Sequence, residues 1–370
     1  MKIVIPSEIK SGETRVSIVP ETVKRLVKEG LEVFVQKGAG IRSSISDVEY
    51  EKSGAKILSD EKKLWNVSNI GMKINSPEIS EIDMMPSESC LISFLDPHNE
   101  KEIVEHLKKK NITSLAMNLI PRIARAQSMD VLSSMSSLFG YKAILLAASM
   151  LPKFFPLMMT AAGTIPPAKG LILGAGVAGL QAIATGRRLG AVMYAFDIRP
   201  EVKEQIESLG ATFISNVPLT VDSQDNKGYA KQVGESTLQN QRELLKSYFK
   251  DMDFVITTAL IPGKIAPILI HKDMIDVMKP GSVIIDIAAS AGGNCEVTKK
   301  DEEVDFNGVK IFGPTNLPAT MPIHASQMYS RNMFSFLMNI FKKKDGLLQL
   351  DFKDEIVSAT CVTHNGEISE

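Results

Sequence analysis

Cysteine is scarce in this chain. Its 370 residues include only Cys90, Cys295 and Cys361, far apart and without metal-ligand spacing. This excludes a disulfide-stapled scaffold and points to reduced thiols in a cytosolic compartment. An excess of either charge is also missing. Lys and Arg number 42 against 43 Asp and Glu, a formal net charge of -1. No global field therefore draws in nucleic acid or an anionic membrane, and a charged ligand must be held locally. The start, MKIVIPSEIK, has no signal-peptide apolar stretch. The most apolar long stretch, residues 143–168, is interrupted by Pro152, Lys153, Pro156, Pro166 and Pro167. These interruptions fall within the roughly 20 residues a spanning helix needs, so no direct membrane insertion is expected. The five histidines, His98, His106, His271, His324 and His364, are scattered and offer no catalytic or metal-binding constellation.

With 44% hydrophobic, 23% charged and 6% aromatic residues, the composition is that of a soluble globular protein. The length exceeds what one core usually supports and predicts two domains. In the first 120 residues short apolar runs (KIVI, LEVFVQ, AKIL, NIGMKI, CLISFL, ITSLAM) alternate with helical patterns such as PETVKRLVKEG and NEKEIVEHLKKK. That is the grammar of a parallel sheet with crossover helices. A second α/β unit starts near residue 136 and carries the buried runs GLIL, VMYAF, ATFI, DFVITTAL, SVIIDIA and VKIFG. After GPTNLP the chain turns helical, is expected to return to the first domain, and ends in a short polar tail. The predicted fold is α/β, two Rossmann-like doubly wound parallel-sheet domains. The first is discontinuous, 1–135 plus 322–370, and the second spans 136–321.

One motif carries chemistry. The GLIL strand runs into Gly174-Ala175-Gly176-Val177-Ala178-Gly179 and then into a helical pattern, the context a dinucleotide fingerprint requires. Gly174 permits the tight turn, Gly176 lets backbone approach a pyrophosphate, and Gly179 lets helix and strand pack closely, while the helix N-terminus offers N–H groups to the phosphates. The next strand ends at Asp197, about 20 residues on, where a carboxylate accepts bonds from the adenosine ribose and repels a 2′-phosphate. NAD(H) is therefore expected over NADP(H), with Arg199 partly offsetting the repulsion. Val177 and Ile198 flank these groups and join the expected contacts. Thr258, Ala259 and Leu260, followed by Ile261-Pro262-Gly263, sit beyond a strand end, where doubly wound sheets bind ligand. Gly292-Gly293 is either a tight turn near the nicotinamide or only a turn. Only one such fingerprint occurs, so the second redox partner is a small substrate or lies on another polypeptide.

Taken in order, SEIKSGETRVSIVPETV, MNLIPRIARAQSMDVLSS, LILGAGVAGLQAIATGRRLGAV, VITTALIPGK and IIDIAASAGGNC resemble the alanine dehydrogenase and pyridine nucleotide transhydrogenase superfamily. The likeness is nearest to the transhydrogenase branch in which the NAD(H)-binding component is a separate soluble subunit. Alanine dehydrogenases hold a substrate carboxylate with cations and use a His for proton transfer. Arg15 is present here, but Asn75, Asp96 and Ser290 stand where that branch has Lys, His and Asp. The resemblance implies that Arg122, Gln127 and Asp130 surround the nicotinamide at a domain cleft as the catalytic set. Ser128, Met129 and Ser133 join the contacts, Ser133 on the carboxamide, and an Arg122–Asp130 ion pair fixes the loop. Gly228 and Tyr229, in a long polar stretch near 215–235, match the family's mobile loop over the nucleotide. It further implies hydride transfer from NADH to NADP(H) on a partner, membrane-embedded subunits that translocate protons, a homodimer, and a peripheral place on the cytoplasmic face of the inner membrane. No metal and no nucleic acid are expected. The alternatives are an alanine-dehydrogenase-like or opine-forming oxidoreductase, or a non-catalytic NAD(H) sensor.

Overall fold

Parallel neighbours cannot be joined by a tight turn, so each needs a crossover. In the amino-terminal 116 residues every consecutive strand pair is joined by a helix. The strands are β1 (Lys2–Ile5), β2 (Glu32–Gln36), β3 (Lys56–Leu58), β4 (Ile70–Met72), β5 (Cys90–Ser93) and β6 (Thr113–Ala116). Helix Pro20–Lys28 starts with proline, whose missing N–H costs nothing there, and buries Thr22, Val23 and Leu26. Helix Asp47–Lys52 starts with a capping box between Ser46 and Glu49. The six strands are mutually parallel in the order 6-5-4-1-2-3, which switches direction between β1 and β4.

This computed structural model describes residues 1–214, 235–260, 264–342 and 346–369. They divide into a first unit, Met1–Met135 with Pro318–Glu370, and a second, Ser136–Leu317. The return thus comes four residues ahead of the predicted boundary, the Thr14 hydroxyl already donating to the Ala319 carbonyl. Helix Pro322–Ile340 docks in the first unit through hydroxyls, Ser326 and Ser330 accepting from the backbone N–H of Val16 and Val19 at 3.0 Å each.

The carboxyl end differs from the polar tail predicted. Cys361–His364 pairs antiparallel with β6, and Glu367–Ile368 pairs outside it. The segment escaped notice because its inward groups include hydroxyls. Thr363 is fully buried, yet it donates to the Ile112 carbonyl at 2.7 Å and bonds Ser114 at 2.7 Å.

The second unit has an exposed hairpin, β7 (Met158–Thr160) with β8 (Gly163–Ile165), and a seven-stranded sheet. Its strands are β9 (Lys169–Leu173), β10 (Val192–Phe196), β11 (Thr212–Phe213), β12 (Phe254–Thr257), β13 (Val283–Asp286), β14 (Glu303–Phe306) and β15 (Val309–Phe312). The order 11-10-9-12-13-15-14 is doubly wound, with its switch point between β9 and β12. Both faces are covered, Ile172, Phe254 and Ile285 facing one apolar cluster and Leu171, Val255 and Ile284 the other, which explains uninterrupted apolar strands. Strand β14 is antiparallel and was not anticipated. Asn307 and Gly308 both take positive φ, 53° and 82°, in the two-residue turn that joins it to β15.

Helix Val131–Met150 is continuous and, by length and composition alone, long enough to cross a bilayer, ending before the prolines expected to interrupt the stretch. Its Ala143, Ile144 and Ala147 are fully buried in the second unit's core. A Cβ on Gly140 would lie 2.0 Å from the carbonyl oxygen of Ala178. Two helix backbones approach there too closely for any side chain. Gly140→Ala should therefore lose about 1–3 kcal/mol of stability by overpacking, read as a lower thermal midpoint; an unchanged midpoint would refute the contact.

Candidate functional site

Ligands of doubly wound sheets sit beyond the carboxyl ends of the strands that flank the switch point. In the second unit those strands are β9, which leads into Gly174, and β12, which leads into Thr258. Gly174 has φ +97°, and a Cβ on Gly179 would stand 1.9 Å from the Gly174 carbonyl oxygen, so both positions demand glycine. A Cβ on Gly176 would meet nothing within 4 Å, which leaves open space at the start of helix Val177–Arg188. That start has no side-chain cap, and Val177 is 43% exposed. An anion approaching there would meet backbone N–H groups and the positive end of the helix dipole, so these residues fit a pyrophosphate.

Asp197, at the end of β10, is buried. Its carboxylate accepts from the Ala175 N–H at 2.7 Å, which ties it to the glycine turn. It also accepts from the Arg199 N–H at 2.9 Å, Nε at 2.9 Å and a terminal nitrogen at 2.8 Å. Arg199 therefore grips the acid more fully than a partial offset would suggest. Ile198 packs on the adjacent apolar cluster. The Thr258 hydroxyl donates to the Gly174 carbonyl at 2.8 Å, which joins the two strand ends, while Leu260 is 40% exposed. Gly228, Tyr229 and Ile261–Gly263 lie outside the described residues.

Arg122, Gln127, Ser128, Met129, Asp130 and Ser133 belong to the first unit. Arg122, Gln127 and Ser128 are exposed, whereas Met129 is buried. The Asp130 carboxylate caps the start of the long helix, accepting from the Ser133 N–H at 2.9 Å and its hydroxyl at 2.6 Å. The loop is tied down by residues that no sequence motif marks. Arg125 makes a two-pronged ion pair with Asp354, whose carboxyl it holds at about 2, and Asn332 donates to the Ser128 carbonyl at 2.8 Å. Asp354 is a helix cap more than 200 residues away, so no local signal could have joined it to Arg125.

A cleft of about 830 Å³ opens in the first unit, where β1 leads to Glu8 and β4 to Lys73 at that sheet's own switch point. Asn75 and Asp96 both line it, together with Glu8, Glu100 and the exposed Lys10. The two buried cations nearby are each matched by a carboxylate, Lys73 by Glu81 and Arg15 by Glu13, the latter through two contacts at 2.8 and 2.7 Å.

Comparison with known proteins identifies the lineage. The family described as alanine dehydrogenase/PNT, N-terminal domain, matches residues 4–139, and its C-terminal domain counterpart matches residues 143–370. The chain belongs to the alanine dehydrogenase/PNT family. Among relatives of the family, the first of the separate chains that make up NAD(P) transhydrogenase subunit alpha in Rhodospirillum rubrum is 45% identical over 100% of this chain and 97% of its own. The structure titled as transhydrogenase from Sinorhizobium meliloti is 39% identical, covers 100% of this chain and 98% of its own, and superposes with a TM-score of 0.87. An alanine dehydrogenase of Staphylococcus epidermidis is 32% identical over 87% of this chain and 82% of its own.

Both branches of the alanine dehydrogenase/PNT family thus match, and the first-unit cleft bears on the choice. Burial would raise Asp96, but bonds from the Asn99 side chain and the Asn99 and His98 N–H groups outweigh it and lower its carboxyl. An acid held ionised in this way is a poor proton donor at neutral pH. An incoming substrate carboxylate would face Glu8, Asp96 and Glu100, while Arg15 is committed to Glu13. Burial likewise would raise Glu13, but Arg15 and Asn75 prevail and hold it at about 2, below its ordinary 4.5. Because the folded value is depressed, its contribution, on the order of 3 kcal/mol, is complete above pH 4.5 and is lost as pH falls toward 2. Glu13→Gln should be less stable at pH 7 and show a flatter urea midpoint against pH across that acid window. A slope equal to the parent's would exclude this role.

Proposed function

We propose that this chain is the NAD(H)-binding component of a transhydrogenase, passing hydride directly to NADP+ held by a partner subunit. The observation that carries the reading is the glycine turn at the β9/β12 switch point with the Asp197 carboxylate bonded to its Ala175 N–H. The names of the transhydrogenase relatives support the same choice, as do the acidic cleft and the carboxylate-bound Arg15 and Lys73, which suit no amino-acid substrate.

When bound, the reduced nicotinamide supplies one hydride and NADP+ accepts it, leaving NAD+ and NADPH with no proton drawn from a side chain. The chain's own groups bind and orient. The start of helix Val177–Arg188 takes the pyrophosphate, and Asp197 takes the adenosine ribose hydroxyls once they displace part of the Arg199 fork. Arg122, Gln127, Asp130 and Ser133 serve the nicotinamide end, and the exposed Gln127 is suited to meet a neighbouring polypeptide. NADP(H) lies on the partner. Proton translocation belongs to membrane-embedded partner subunits, which hold this chain at the cytoplasmic face of the inner membrane. A second copy covers the hairpin region, where Phe154, Leu157 and Met159 are exposed and Met159 is 77% open.

The decisive experiment supplies NADH deuterated at C4 to the chain together with an NADP(H)-binding partner: label should arrive in NADPH. Rapid NADH oxidation by the isolated chain with pyruvate and ammonia would overturn the reading and favour the dehydrogenase branch. Asp197→Asn should weaken NADH binding about tenfold or more by removing charge-assisted ribose bonds. Arg199→Ala should sharpen the preference for NADH over NADPH, and a shift toward NADPH would contradict the assigned roles. In light scattering, Met159→Asp should reduce the dimer fraction of the isolated chain, and no change would exclude the hairpin from the interface.

A further inference from the structure

Two fully buried polar residues of the second unit, Asp286 and Asn294, have no part in the coenzyme contacts proposed above. Asp286 is the last residue of β13, and its register partner Thr257 is the last residue of β12. Donors converge on its two oxygens. Thr257 Oγ1 and the Ala288 N–H reach one at 2.9 and 3.1 Å. The N–H groups of Asn294 and Cys295 and Thr298 Oγ1 reach the other at 2.8, 3.0 and 2.8 Å. A buried carboxylate is tolerated only when its lone pairs are met, and here the loop that follows the strand folds back to meet them.

The loop is thereby locked so that the Asn294 side chain faces Ala259. Ladder pairing of β12 ends at Thr257, and Ala259 lies two residues beyond it. The carboxamide of Asn294 takes over. Its Oδ1 accepts from the Ala259 N–H at 3.0 Å, and its Nδ2 donates to the Ala259 carbonyl at 2.8 Å and to the Pro267 carbonyl at 2.8 Å. One side chain thus imitates the peptide of a neighbouring strand. From Ala259 the restraint passes to Thr258, whose hydroxyl holds the Gly174 carbonyl at the glycine turn.

We propose that Asp286 and Asn294 are positioning residues for NAD(H), fixing through Ala259 and Thr258 the strand end and glycine turn that contact it. This rests on the coenzyme reading above. Both side chains are shielded from solvent, so neither touches the ligand, and the effect must run through backbone placement.

Asn294→Asp nearly preserves volume but sets a carboxylate against the carbonyls of Ala259 and Pro267, whereas Thr298→Val removes one donor from Asp286 with little change of shape. For the folded isolated chain, NADH fluorescence should give a Kd raised about tenfold or more for Asn294→Asp and about two- to fourfold for Thr298→Val. In transhydrogenation with the partner, the KM for NADH should rise while kcat at saturating NADH and the KM for NADP(H) stay within about twofold. A purely structural role would lower the thermal midpoint and the folded fraction but leave the Kd of the folded fraction alone. An unchanged Kd for folded Asn294→Asp overturns the proposal. Should that variant not fold, an unchanged Kd for Thr298→Val does so. If the unsubstituted chain itself fails to bind NADH, the coenzyme reading falls and takes this inference with it.

Discussion

Nothing larger than hydrogen fits on the α-carbon of Gly179, because the carbonyl of Gly174 occupies that space. This one contact sets how soon a helix can begin after β9. The chain must reverse within the turn, which Gly174 accomplishes at positive φ, and the first helical N–H groups then point back over the sheet's carboxyl edge. Everything assigned to the nucleotide hangs on that edge. Asp197 reaches Ala175 from one neighbouring strand and Thr258 reaches Gly174 from the other, so the turn is clamped from both sides while Gly176 faces open space.

The two units share a strand order but not a chemistry. At the switch point of the first sheet, no glycine turn follows β1; Glu8, Asn75, Asp96 and Glu100 line the cleft instead. The buried cations that could have attracted an anionic substrate are neutralised within the protein, and the net effect is a site more acidic than cationic and rich in fixed hydrogen bonds. Burying such pairs is expensive unless each partner is met. Arg15, Glu13 and Asn75 meet that condition together, since the acid takes the Arg fork and the amide at once. The family's two branches can thus share a fold while differing in what the first unit offers a ligand.

Much of the parallel architecture was legible from residue order alone, because strands covered on both faces must be apolar throughout and their crossovers must carry an apolar stripe. Gly174, Gly176 and Gly179 were legible for a similar reason: steric demands on a tight turn leave few alternatives, and their spacing records the geometry directly. Elements lacking that signature went unread. The strand at Cys361–His364 buries a threonine, and β14 is a sheet-edge strand with half its residues in solvent.

Local periodicity and steric exclusion determine the alternation of strand and helix, the glycine turn and the acid at the end of β10, since each depends on neighbours within about twenty residues. Long-range partnership was decided only in three dimensions. Arg125 with Asp354, Asn294 with Ala259 and the full grip of Arg199 on Asp197 depend on where separate strands and loops end. A hydrogen bond leaves no periodic trace in a sequence: its cost and benefit appear only when both groups leave water together.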